Sequence, residues 1–174
     1  MKPDVRRRLQ EISTAKGQEY GKIVQKLLAI AFLAAGAKRL TERSTQGIDL
    51  EIELADGRRL AMEVKTSQSE KLSFGTKDVK GLCERQCEGK TPYLALLGPR
   101  TLDDWIFARF FDGEILPNRD YALTALRAYR DADLEDSMRE PFAAAVIEHA
   151  TAAIEGGQAA LDAVLRRDPR FATA

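Results

Sequence analysis

From residue 47 to residue 65 the chain alternates between apolar and polar side chains. Apolar residues fall at 48, 50, 52 and 54, and again at 60, 62 and 64, on either side of Ala55-Asp56-Gly57-Arg58. A period of two marks half-buried strands, and the interruption carries turn residues, so the segment reads as a β-hairpin. Residues directly opposite each other in an antiparallel pair point to one face. For both apolar sets to reach the core, Ile48 must oppose Val64, Leu50 oppose Met62, and Ile52 oppose Leu60. That register leaves a three-residue loop, Asp56-Gly57-Arg58, a length that hairpins accept where glycine is present. It also sets Asp49 opposite Glu63 and Gly47 opposite Lys65, all on the polar face.

Upstream the period changes. Tyr20, Ile23, Val24, Leu27, Leu28 and Ala31 repeat at helical spacing, with Gly36 as a C-terminal stop and Glu19 in the first turn. A short strand, about 37–42, links this helix to the hairpin. Beyond the hairpin, residues 66–75 are polar and irregular. Thr76 is an N-cap with Asp78 in the first turn, and the helix it opens runs to about Glu88 and stops at Gly89. Thr91 to Gly98 reads as a buried strand. Trp105 to Phe111 reads as a further strand or an interface, with Asp112-Gly113 as a turn. Helical periodicity returns over Tyr121–Tyr129 and Pro141–Arg167. In the latter, Ile147, Ile154, Leu161 and Leu165 share one stripe, and Gly156-Gly157 form a break.

Composition bounds the class. With 174 residues, 44% hydrophobic and 31% charged, the chain suits one globular domain with a real core. The expected division is a core over about 15–112 and a helical C-terminal extension over about 113–174. No apolar run reaches membrane-span length, and the basic start has no apolar segment behind it, so a cytoplasmic protein is expected. Cys83 and Cys87 lie one helical turn apart, poorly placed for a disulfide and too few for a structural metal site, so both are expected as reduced, partly buried thiols. His149, the one histidine, has no neighbour that suggests catalysis.

A net charge of zero hides an asymmetry. Residues 1–43 hold ten Lys/Arg against four Asp/Glu, a net of +6, and residues 101–165 hold five against thirteen, a net of −8. Phosphate contacts from the basic part are expected to accompany any nucleic-acid site. The acidic part is expected to face away or to pack on a basic partner.

Two carboxylates on neighbouring strands, roughly 5 Å apart at their Cβ atoms, with a lysine two residues on, have the chemistry to grip a hard divalent cation. Alone, the pattern describes an amphipathic hairpin with a solvated face. The ordered set of elements changes the balance. Helix with Glu19, strand, hairpin with Asp49 and then Glu63-Val64-Lys65, helix and strand resembles the PD-(D/E)XK nuclease superfamily over roughly residues 15–98. Within it the likeness is nearest to archaeal Holliday junction resolvases. Ile48 stands where the motif's name has proline.

The resemblance implies a restriction-endonuclease-like α/β fold, with a mixed β-sheet core flanked by helices. It also implies a Mg²⁺-dependent DNA endonuclease, with Mn²⁺ as substitute, acting on branched or duplex DNA as a homodimer. Glu19, Asp49, Glu63 and Lys65 would be catalytic, with Asp49, Glu63, the Val64 carbonyl and Glu19 around the metal. Lys65, flanked by negative charge, is expected to stay protonated and to orient the attacking water. Lys16, Lys22, Lys77 and Lys80 are candidate phosphate contacts. Ser67, Ser69 and Lys71 either join them or belong to a plain connection. A nuclease-fold module that binds nucleic acid or protein without cutting, and an unrelated α/β interaction protein, are the competing classes.

Overall fold

In a computed structural model of the chain, residues 2–43, 48–67, 69, 71–98, 105–110 and 113–174 are described. Gly47, the expected neighbour of Lys65, and Asp112 of the expected turn lie outside them.

The chain opens with α1 (Pro3–Ala15), an addition to the expected elements. Its Pro3 sits at the first helical position, where a missing N–H costs nothing, and Val5, Leu9 and Ile12 form its buried stripe. Helix α2 (Tyr20–Ala34) follows, then β1 (Arg39–Glu42), β2 (Leu50–Glu53) and β3 (Arg59–Thr66). A short β4 (Lys71–Ser73) precedes α3 (Thr76–Cys87) and β5 (Thr91–Leu97). After β6 (Ile106–Arg109) come β7 (Asp120–Ala122), the one-turn α4 (Leu123–Leu126) and a 3₁₀ turn over Arg127–Tyr129. The long α5 (Ala132–Leu165) and β8 (Phe171–Thr173) complete the chain. No helix of the described residues is long and apolar enough to cross a membrane.

Six strands form one mixed sheet in the order β6-β5-β3-β2-β1-β8, while β4 and β7 make a separate antiparallel ribbon. The β3–β5 and β1–β8 pairs are parallel; β1–β2, β2–β3 and β5–β6 are antiparallel. Alternation then sends side chains to two cores. On one face Leu50, Ile52, Leu60, Met62 and Val64 pack with the buried residues of α2 and α5. On the other, Ala61, Leu94 and Leu96 pack with Leu82 of α3, Leu72, Phe74 and Leu123. Helix α1 lies against α5, where Lys2 pairs with Glu140 at 2.7 Å. The basic start of the chain therefore meets the acidic C-terminal helix.

Several expectations shift. The hairpin register holds for Leu50–Met62 and Ile52–Leu60. That register leaves Ala55–Gly57 as the loop, not Asp56–Arg58: Leu54 faces Arg58, its N–H donating to the Arg58 carbonyl (2.9 Å), and Gly57 takes φ 89°. Gly75, not Thr76, caps α3; the Asp78 carboxylate accepts the Gly75 N–H at 2.9 Å. Residues 120–122 are strand rather than helix, since they pair with β4.

Helix α5 begins nine residues before Pro141, which it carries internally, and breaks at Gly157 (φ 61°, ψ −150°). Its buried stripe runs through Leu134, Met138, Phe142, Val146 and Ala150, whereas Ile147 is 48% exposed. The break at Gly157 resets the helical phase, so Leu161 and Leu165 do not extend the line of Ile147. Neither cysteine forms a disulfide among the described residues; Cys83 is half-buried, and Cys87 is exposed rather than partly buried.

Candidate active site

The two strands of the hairpin stop following each other at Asp49. Leu50 is the register partner of Met62, yet the Asp49 N–H also donates to the Met62 carbonyl, at 3.0 Å. Asp49 is thus the extra residue of a β-bulge, a device that re-aims side chains and is common beside active sites. Its first consequence is a correction. Ile48 does not oppose Val64 in the α2–α5 core but is buried in the opposite core with Ala61, Leu94 and Leu96. A one-residue step in register turns a strand's side chains to the other face, as it does here for Ile48.

Its second consequence concerns Asp49 itself. The Val64 N–H donates to Asp49 Oδ2 at 2.9 Å, so a carboxylate replaces the backbone acceptor that a continuing ladder would supply. In an extended strand the N–H and C=O of one residue point the same way. The Val64 carbonyl is therefore also directed past the end of β2, toward Asp49. The other oxygen, Asp49 Oδ1, accepts from Lys22 Nζ at 2.9 Å. Lys22 reaches it because the start of α2 presses on the end of β3: a Cβ at Gly21 would stand 3.3 Å from Thr66 Oγ1. A side chain expected to touch phosphate is thus engaged by the strand acid.

Glu63 is only 5% exposed. Burial, and then the nearby Asp49 charge, push its carboxyl up to about 7, against the opposing pull of Lys65. Lys65 Nζ lies 2.7 Å from Glu63 Oε1 and 2.8 Å from Asp78 Oδ2. Burial works against the charged ammonium, but these two carboxylates outweigh it and raise its pKa. Asp78 was legible only as a helix-start residue. Its second task, holding the lysine from the first turn of α3, depends on a packing that sequence spacing does not show.

Glu19 lies elsewhere. It caps α2 rather than occupying the first turn, and its Oε2 accepts the Gln158 N–H at 3.3 Å. The seat is close: a Cβ at Gly157 would fall 2.6 Å from that oxygen. The hydrogen bonds of the described residues do not connect Glu19 with Asp49, Glu63 or Lys65. Among those residues no three His, Cys, Asp or Glu side chains converge on one point. The helical acid and the hairpin acids are not brought together.

The remaining candidates make local contacts or face solvent. Ser67 Oγ donates to the Ser69 carbonyl (2.8 Å) and Ser69 Oγ to the Lys71 carbonyl (2.7 Å), so both hydroxyls serve the turn between β3 and β4. Lys71, Lys77 and Lys80 are exposed, Lys80 at 3.7 Å from Glu84, and Lys16 ends α1 half-buried.

A buried polar chain, absent from the sequence reading, runs back from the site. Lys22 also reaches Gln25 Oε1 (2.9 Å), and Gln25 Nε2 donates to Glu42 Oε1 (2.9 Å). Lys26, 5% exposed, joins Glu42 at 2.9 Å and Asp162 at 2.5 Å. The available signal was a glutamine and a lysine set inside the apolar run 23–33.

No protein-family model matches the sequence, and no curated protein matches it either. Among solved structures the chain is similar to the 1.6 Å structure of Archaeoglobus fulgidus Hjc, a Holliday junction resolvase from an archaeal hyperthermophile. The TM-score is 0.51 at 18% identity, covering 67% of this chain and 95% of that one. The chain has the restriction-endonuclease-like α/β fold.

Proposed function

We propose that this protein is a divalent-metal-dependent DNA endonuclease that hydrolyses phosphodiester bonds in branched or duplex DNA. The observation that carries the reading is the bulge. It sets the Asp49 carboxylate beside Glu63, with the Val64 carbonyl directed the same way, on a fold that nucleases use. The donor set is all oxygen and suits Mg²⁺, or Mn²⁺ in its place, which takes few protein ligands and keeps several waters. Burial, and after it the Asp49 charge, disfavours an ionised Glu63, and a shared cation would offset both. Bound there by Asp49, Glu63 and the Val64 carbonyl, the ion would supply Lewis acidity and an acidified water.

The chain's own residues do the rest. Lys65, held charged between Glu63 and Asp78, orients the attacking water and balances charge at the scissile phosphate. Lys22, which holds Asp49 Oδ1, would be placed to take a phosphate oxygen if that carboxylate bound the ion. A homodimer would place two such sites on two strands, and the expected compartment is the cytoplasm. Glu19 would join, through a metal-held water, after leaving Gln158.

The position of Glu19 favours a second reading, a nuclease-fold module that binds DNA and cuts poorly. Cleavage of supercoiled, linear and four-way-junction DNA with Mn²⁺ separates the two. The nuclease reading expects cutting by the wild type and a loss of at least about a hundredfold in Glu63→Ala, with unchanged circular dichroism. Binding without cutting selects the second reading, and full activity in Glu63→Ala removes the site assignment.

A further inference from the structure

We infer that the uncovered face of β1 and β2 is a second phosphodiester-binding surface, over which the strand presented to Glu63 and Lys65 continues. The inference rests on the nuclease reading above. Alternation on β3 puts Arg59, Ala61, Glu63 and Lys65 on one face, and the register adds Glu51 and Glu53 of β2 and Arg39 and Thr41 of β1. Helix α3 covers Ala61 but leaves a cavity of about 360 Å³ over the β1–β2 part, lined by Arg39, Arg43, Arg59, Lys90, Glu51 and Glu53 among others.

Charge there is unbalanced. Glu51 alone gathers Arg43 Nε (2.7 Å), Arg85 Nε (3.0 Å) and Lys90 Nζ (2.8 Å). Glu88 shares Arg85 and Lys90. Arg39 and Arg59 are exposed and make no ion pair with the described residues; Glu53 is the register neighbour of both. Five cationic side chains thus meet three side-chain carboxylates, with Ala174 also lining the cavity. Two guanidiniums remain for a ligand, and a planar fork suits phosphate oxygens.

The surface shares its strands with the site. The Arg43 N–H donates to the Asp49 carbonyl at 2.9 Å, and Arg59 lies four residues before Glu63, about 13 Å at strand rise. A DNA strand leaving the scissile phosphate along α3 would meet these arginines over its next few phosphates. A cationic surface that shares its floor with the proposed hydrolytic site fits a polyanion better than an acidic protein.

The test is DNA binding in EDTA, where no cut can occur, with a labelled four-way junction and its linear arm across a salt series. Arg39→Gln/Arg59→Gln should bind about tenfold or more weakly and lower the salt slope by about 2, since each lost phosphate contact removes about one counterion. Arg39→Lys/Arg59→Lys should keep the wild-type slope. Lys2→Gln/Arg7→Gln, at the start of α1 where Lys2 pairs with Glu140 of α5, carries the same charge change and should bind like wild type. Thermal unfolding checks that each variant is folded. An unchanged slope in the glutamine variant, or an equal loss in the α1 variant, overturns the inference and leaves the nuclease reading standing. A change of oligomeric state without a change in DNA binding makes the face a protein interface and also overturns it. Wild-type protein that binds neither DNA at low salt removes the nuclease reading itself.

Discussion

A carboxyl group that is buried and faces a second carboxylate resists ionising, and Glu63 meets both conditions. Unfolding returns it to an ordinary value of about 4.3, whereas the folded chain holds it at about 7. Between those values the folded state binds the extra proton, so metal-free protein should lose stability as pH rises through that window. Glu63→Gln, which keeps the shape without the charge, escapes the loss. Melting temperatures of variant and wild type should therefore lie close near pH 4.5 and separate, with the variant higher, to a plateau above about pH 8. A gap that stays constant over this range would refute the account. Glu63, Lys65 and Asp49 were all legible as chemistry, because acid and lysine spacing on alternating strands is local information. The tether on Lys65 from Asp78 was not, since it joins two elements whose packing no short pattern records.

Elements fail the sequence reading where one residue changes the phase. Strict alternation would carry Ile48 to the α2–α5 core, yet the inserted Asp49 sends it to the other. Nothing in Gly47-Ile48-Asp49-Leu50 announces a bulge, because the hydrogen-bond choice lies with Met62 and Val64 across the ladder. Pro141 misled in the opposite way: a residue that usually starts helices sits inside α5. Gly157 was legible as a break, and the structure adds a neighbour. Its dihedral angles belong to a region essentially restricted to glycine, and a Cβ there would meet Glu19 Oε2 at 2.6 Å. Gly157→Ala should cost on the order of 1–3 kcal/mol in denaturant unfolding and dislodge Glu19. If Glu19 works only after leaving that seat, the variant should lose stability yet keep or gain cleavage. A fall in activity larger than the lost folded fraction would mean that Glu19 serves the kink alone.

For the whole molecule, Lys26 is the joint. It lies on α2, reaches Glu42 on β1 and Asp162 on α5, and is almost sealed from water. Removing one partner of a buried ion pair leaves the other charges uncompensated, typically a loss of about 3–5 kcal/mol. Lys26→Met should unfold at markedly lower urea. Lys26→Met with Glu42→Gln and Asp162→Asn should regain much of that, and a triple variant no better than the single one would show that packing, not charge, makes the joint.

The pairing of β1 with β8 has a consequence for biosynthesis. Leu40 finds Phe171 only across some 130 residues of intervening chain, so during translation one margin of the sheet stays bare until residue 171 has been made. A nascent polypeptide arrested before residue 171 would offer that margin to any passing strand, so chaperone demand should stay high until β8 is in place.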